Sequence, residues 1–230
     1  MKKLLSRFFH PKKLPPKLGS EVLEEKQQTV DTIFVHVHKC AGTSLIETLS
    51  TSPHVICCVA RPGDFPNRTG RERIPNHIWK RSRKFTFLRH PYARVVSAFK
   101  MFMKSAKWQN TFRDFDGFLE FLRWVDLSHH SVDRERPTQE YVQTIDNVIH
   151  HCSSYSNPKY MLGEMDFIGQ LESFDVDYQQ IQKEFGMKLP HPSHLNPAID
   201  GDHGDLLNSE RKSRIYSLYQ EDFETLGYER

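Results

Sequence analysis

Residues 38–44 read His-Lys-Cys-Ala-Gly-Thr-Ser, which places a lysine, a glycine and two hydroxyl side chains almost side by side. The chemistry such a set suits is the holding of an anion. Lys39 supplies a full positive charge. Gly42 lets the backbone approach a ligand with no Cβ in the way. Thr43 and Ser44 add hydroxyl donors. The first turn of a helix adds N–H groups without internal partners and about half a positive charge from the dipole. The residue order separates this loop from the Walker type, which needs Gly-Lys followed by Ser or Thr so that the hydroxyl can hold magnesium. No Gly-Lys pair occurs in the chain, and here the lysine precedes the glycine. The loop is read as a site for an anion handled without a metal. An ordinary strand-to-helix connection with a glycine fits the same letters.

A second set lies at residues 89–97, where Arg89 is followed by Pro91 and, further on, by Ser97. Arg89 can hold an anion, and the bland alternative is an arginine on the surface. Ser97 can add a hydroxyl or simply be a small residue at a helix contact.

Elements must position these residues. Ile33, Val35 and Val37 alternate with Phe34, His36 and His38 in a β-branched run, which predicts a strand leading into the lysine loop. From Thr43, the apolar residues Leu45, Ile46 and Leu49 recur at helical spacing. Residues 54–60 read as a second short buried strand. Phe85, Phe87 and Leu88 form a third, ending at Arg89, and Pro91 suits the first turn of the helix that follows. In open α/β sheets ligands bind beyond the carboxyl ends of the strands. Lys39 and Arg89 can therefore point into one crevice if their strands are neighbours.

The remaining chain fills in around that core. Residues 61–76 read as a loop. Asp116 is expected to cap a helix carrying Phe118, Phe121, Leu122 and Val125. Residues 141–152 give no clear pattern. Residues 166–171 read as another buried strand. Asp175 or Asp177 is expected to cap a helix stopped by Gly186. Residues 187–205 form a long loop, and residues 209–226 a closing helix stopped by Gly227.

With 230 residues, the chain has room for one sizeable domain. The expected division is a flexible basic tail at residues 1–28 and a single domain over residues 29–230. A net charge of +3 is compatible with an anionic ligand but lacks the dense basic stripe of a nucleic-acid binder. Four cysteines show neither zinc-finger nor redox spacing, so a reducing compartment is expected. No stretch is long and apolar enough for a membrane span or signal peptide, so a cytoplasmic protein is expected.

Taken together, the two sets resemble a known family. HVHKCAGTSL resembles the 5′-phosphosulfate loop of the carbohydrate sulfotransferases, which include the heparan sulfate 2-O- and chondroitin-type sulfotransferases. FTFLRHPYARVVSAF resembles their 3′-phosphate motif. FIGQLESF and YQEDFETLGY are similar to the family's later strand and closing helix, in the same order. The resemblance implies an α/β fold, a central parallel sheet flanked by helices as in the P-loop nucleotide kinases. It implies 3′-phosphoadenosine-5′-phosphosulfate as the donor and a carbohydrate hydroxyl as the acceptor. Carried over by position, Lys39, Ala41, Gly42, Thr43 and Ser44 would hold the 5′-phosphosulfate, and Arg89 and Ser97 the 3′-phosphate. The resemblance also sets the stretch His191–Asn196 near the cofactor, as a cofactor or acceptor contact. One departure is visible: the residue before the loop lysine is usually proline, and here it is His38.

The acceptor hydroxyl needs a general base, since its pKa lies far above neutrality. Several family members use a histidine between the two motifs, and His77 is the best-placed candidate, although it is one of thirteen histidines. His36 and His38 share one strand face and are further options. Glu47 is a weaker one, and Glu172 is expected to be a buried structural partner rather than a catalyst. No metal is expected. A P-loop kinase or NTPase, and a relative that only binds a nucleotide or a glycan, are the competing readings. The acceptor itself is not encoded legibly: Arg61, Arg68, Arg71, Arg73, Arg81 and Arg83 could hold an acidic glycan or form a solvated basic face. Oligomeric state is open.

Overall fold

The computed structural model describes residues 17–60, 64–125, 139–186, 188–192 and 205–230. The basic stretch before residue 17 and most of the 187–205 loop, including His194 and Asn196, lie outside the described residues. The centre is a six-stranded sheet formed by β1 (Thr32–His36), β2 (Val55–Val59), β3 (Asp64–Phe65), β4 (Arg68–Gly70), β5 (Arg83–Leu88) and β6 (Phe167–Gln170), in the order β3-β4-β2-β1-β5-β6. All neighbours are parallel except β3 and β4.

Every residue of β1 and β2 is buried, as expected for parallel strands covered on both faces. Phe34, Cys57 and Phe85 face Leu45 and Leu49 of α2 (Gly42–Leu49), and Tyr178 and Ile181 of α8 (Phe174–Phe185). Ile33, Val35 and Ile56 face Leu23 of α1 (Gly19–Lys26), together with Ile78 and Trp79 of α3 (Asn76–Arg81). A separate aromatic-rich core joins six helices: α4 (Pro91–Phe102), α5 (Ala106–Phe112), α6 (Phe115–Arg123), α7 (Gln139–Cys152), α9 (Ser209–Leu218) and α10 (Gln220–Leu226).

Several expectations need correction. The lead-in before residue 28 contains α1, which buries Val22 and Leu23, while Lys26 Nζ donates to Ser50 O and Val55 O at 2.9 and 2.8 Å. The 61–76 loop contains β3, β4 and a 3-10 turn at Arg71–Arg73. These strands are two and three residues long, too short for alternation to register. Asp114 caps α6 by accepting from Gly117 N at 2.8 Å. Asp116 instead pairs with Arg211 and Arg214 on α9. β6 is only partly buried because it is an edge strand. Neither Asp175 nor Asp177 caps α8; Asp177 accepts from Gln170 N and Ser173 Oγ. Gly186 and Gly227 do stop their helices, both left-handed. The closing helix is two helices, broken at Tyr219, whose hydroxyl donates to Cys152 O at 2.7 Å.

The break aims α10 at the middle of the chain. Asp222, 1 % exposed, accepts from Ser154 Oγ and from Tyr155 N at 2.8 Å. Asp222→Ala strands both donors in a dry environment and is expected to lower stability by about 1–3 kcal/mol in urea unfolding. Asp222→Asn, which keeps an acceptor oxygen, should lose less.

Candidate functional site

The register of β1 against β5 sets the site. Phe34 pairs with Phe85, and Thr86 Oγ1 donates to Val35 O at 2.7 Å. Continued at the same offset, His38 stands level with Arg89, one strand spacing away. The lysine loop and Arg89 therefore leave the sheet side by side. Lys39, Ala41, Gly42, Thr43, Ser44, Arg89 and Ser97 all line one cavity of about 340 Å³. The cavity is also lined by Arg68, by His36 and His38, and by Asn147, His150 and His151 of α7. Among the described residues, no aspartate or glutamate lines the cavity.

The loop conformation differs from a glycine-dependent turn. Lys39 and Ala41 carry the positive φ angles, 66° and 52°. Left-handed backbone in non-glycine residues costs on the order of 1–3 kcal/mol each and tends to persist at functional sites. Gly42 is required for another reason. A Cβ there would meet the His36 ring at 1.9 Å, so the imidazole of the strand end occupies the space beneath the first turn of α2. No side chain caps α2, and neither Thr43 nor Ser44 does so. Gly42, Thr43 and Ser44, the first residues of α2, line the cavity beside Lys39.

Two residues without a sequence signal hold the anchors together. The Tyr155 hydroxyl donates to Arg89 O at 2.6 Å, accepts from Arg89 N at 3.0 Å and lies 3.4 Å from Cys40 Sγ. One buried phenol therefore touches both turns. Arg94, 2 % exposed, donates to His38 O at 3.2 Å and to the Tyr160 hydroxyl at 3.1 Å, with its guanidinium 4.2 Å over the Tyr155 ring. Single residues at sequence separations of 66 and 56 leave no local pattern to read.

The electrostatics are those of a positive, partly dry cleft. Burial lowers the Lys39 pKa, with Lys104 and Arg89 adding repulsion against Cys152 and Cys40. Burial pushes His36 down to about 3, helped by Arg68, His151 and Lys39. His38 is held well below its usual range, again mainly by burial. Both rings are neutral at physiological pH.

Other candidates fall elsewhere. His77 is exposed on the first turn of α3 and does not line the cavity. Glu47 is exposed on α2. Glu172 is exposed rather than buried, and accepts from His90 N at 2.8 Å. His191 packs on Phe174 and Tyr178 and lies 3.3 Å from Asp175. Of the arginine series, Arg61 is outside the described residues. Arg71, Arg81 and Arg83 donate to backbone carbonyls, and Arg73 pairs with Glu72. Among the described members of the series, only Arg68 lines the cavity. Among the described residues, no group of three or more His, Cys, Asp or Glu could hold a metal ion, and no helix could cross a membrane.

Two outcomes follow. Tyr155→Phe leaves the buried Arg89 N unpaired, so it should cost about 1–3 kcal/mol by thermal unfolding. It should also weaken anion binding at the cleft in calorimetry. Acid should destabilise the protein early. The unfolded chain protonates His36 near pH 6.5, and the folded chain only near 3, so this stability is complete above pH 6.5 and falls as pH drops through that window. Urea midpoints measured from neutral pH down to about pH 5 should fall, and less so in His36→Gln.

No curated protein and no solved structure gives a significant match to the chain. A family model described as the Sulfotransferase family matches residues 27–229, from the end of α1 through the closing helix. The matched span contains both anchors, the sheet that sets them side by side and the helix that locks them. The chain belongs to the sulfotransferase family.

Proposed function

We propose that this protein transfers the sulfuryl group of 3′-phosphoadenosine-5′-phosphosulfate to a hydroxyl of a carbohydrate acceptor. The observation that carries the reading is the single cleft lined by the Lys39 loop and by Arg89 and Ser97. Two anion anchors on adjacent strand ends suit a nucleotide phosphorylated at both ends. The first turn of α2, with Thr43 and Ser44, would receive the 5′-phosphosulfate. Arg89 and Ser97 would hold the 3′-phosphate.

Transfer is an in-line displacement at sulfur. The acceptor oxygen forms the new S–O bond while the bridging S–O bond breaks, and its electron pair leaves on the 5′-phosphate. Lys39 neutralises that growing charge in a cleft where water screens poorly. The acceptor's proton passes to a histidine, since no carboxylate is among the described lining residues. Their oxygen donors are hydroxyls and one amide, with no carboxylate to hold a divalent cation tightly, which supports a metal-independent reaction.

Calorimetry with adenosine 3′,5′-bisphosphate tests the reading. Arg89→Ala should weaken its binding about 10–100-fold, the equivalent of one charge-assisted hydrogen bond of about 1.5–3 kcal/mol. The same variant should bind adenosine 5′-phosphate almost unchanged. Lys39→Ala should lower turnover more than donor binding. Full transfer in excess chelator is expected, and a strict magnesium requirement would count against the proposal in favour of a kinase-type enzyme.

A further inference from the structure

Four imidazoles crowd one wall of the cleft. The His38 ring lies 4.8 Å from His36, 3.8 Å from His150 and 5.2 Å from His151, centroid to centroid. All four line the cavity. They come from two segments far apart in sequence: the end of β1 and the last turn of α7.

These rings are not equivalent. His36 is wedged beneath Gly42 and is 7 % exposed, and His38 is 6 % exposed. Neither can meet a bulky acceptor. His151 turns its ring edge-on to Phe102, 5.7 Å away, toward the helical core. His150 is half-buried, packs against His38 with the two rings tilted by 59°, and opens on the cavity. Its neighbour one turn back, Asn147, lines the same space.

We propose that His150, on α7 and packed against His38, is the catalytic base that takes the proton from the acceptor hydroxyl. The assignment rests on the sulfuryl-transfer reading above. His38 is its positioning residue, a buried ring in close contact that limits how the His150 ring can turn. His38 also occupies the place where the resemblance sets a proline, so the departure from the family pattern has a structural use here. Among the described residues, the groups near His150 are His38 and, beyond it, His36 on the β1 side, and Asp146 and His151 on its own helix. Lys159 lies near His38, and Lys39, Arg68 and Arg89 lie around the cleft. In the step, the acceptor O–H proton moves to the neutral imidazole as the oxygen bonds to sulfur. The imidazolium then returns the proton to water.

The test uses the intact chain, radiolabelled donor, and a panel of desulfated heparan sulfate, chondroitin and dermatan as acceptors. His150→Ala should lose roughly 100-fold or more in transfer rate, within the usual range for a positioned base. Its affinity for adenosine 3′,5′-bisphosphate should stay within about twofold, which also reports that the variant folds. The acid limb of the pH–rate profile should vanish, and added imidazole should restore part of the rate. His151→Ala and His77→Ala should keep near-normal rates. His38→Phe, which keeps a flat ring, should retain more activity than His38→Ala. Undiminished transfer by His150→Ala with the acid limb intact would overturn the assignment while leaving the donor site standing. Failure of the intact chain to bind the bisphosphate or to label any glycan would overturn the transfer reading, and this assignment with it.

Discussion

One phenolic hydroxyl fixes the spacing on which the cleft depends. Tyr155 engages both backbone groups of Arg89 and sits against Cys40 of the lysine loop, so the two turns share a common contact. Arg94 reinforces the join by tying His38 O to the aromatic pair Tyr155 and Tyr160. Both groups are buried, and polar atoms in such surroundings lose far more by being unpaired than they gain by being paired. The arrangement therefore holds a geometry more than it adds net stability. Parallel strands bring Lys39 and Arg89 close, and the phenol keeps them at one separation.

Strands β1, β2 and β5 and the loops that follow β1 and β5 were legible because they follow local rules. Alternation in residues 33–37, helical spacing after Thr43 and a proline after Arg89 each carry their own signal. The register of β1 and β5 then turns two local patterns into one site. What sequence reasoning missed is long-range. Tyr155, Arg94 and the α7 histidines reach the cleft from segments with no motif of their own. His77 was favoured by its position between the motifs, and chain position carries no information about which way a short helix faces. The arginine series shows the same limit: most of its members are spent on backbone carbonyls and one acidic neighbour, and only contacts reveal that.

Gly42 illustrates how one residue can satisfy two constraints. Read from sequence, it is open space for a ligand. In the fold, it is open space for His36, while the left-handed turns fall to Lys39 and Ala41. The loop's shape is thus set by what packs under it before any ligand arrives. Pre-set donors need little reorganisation on binding, which is where positioned electrostatic groups are most effective.

The ties between the closing helix and the middle of the chain bear on how the protein is made. Asp222 grips the segment carrying Tyr155, and His90 Nε2 meets Glu229 O at 3.0 Å, across 139 positions. Contacts of such range form late, because large loops must close first. A chain emerging from the ribosome can assemble the sheet while the cleft remains unfinished. The cavity would then take its shape only once the last described helix has docked on the middle of the chain.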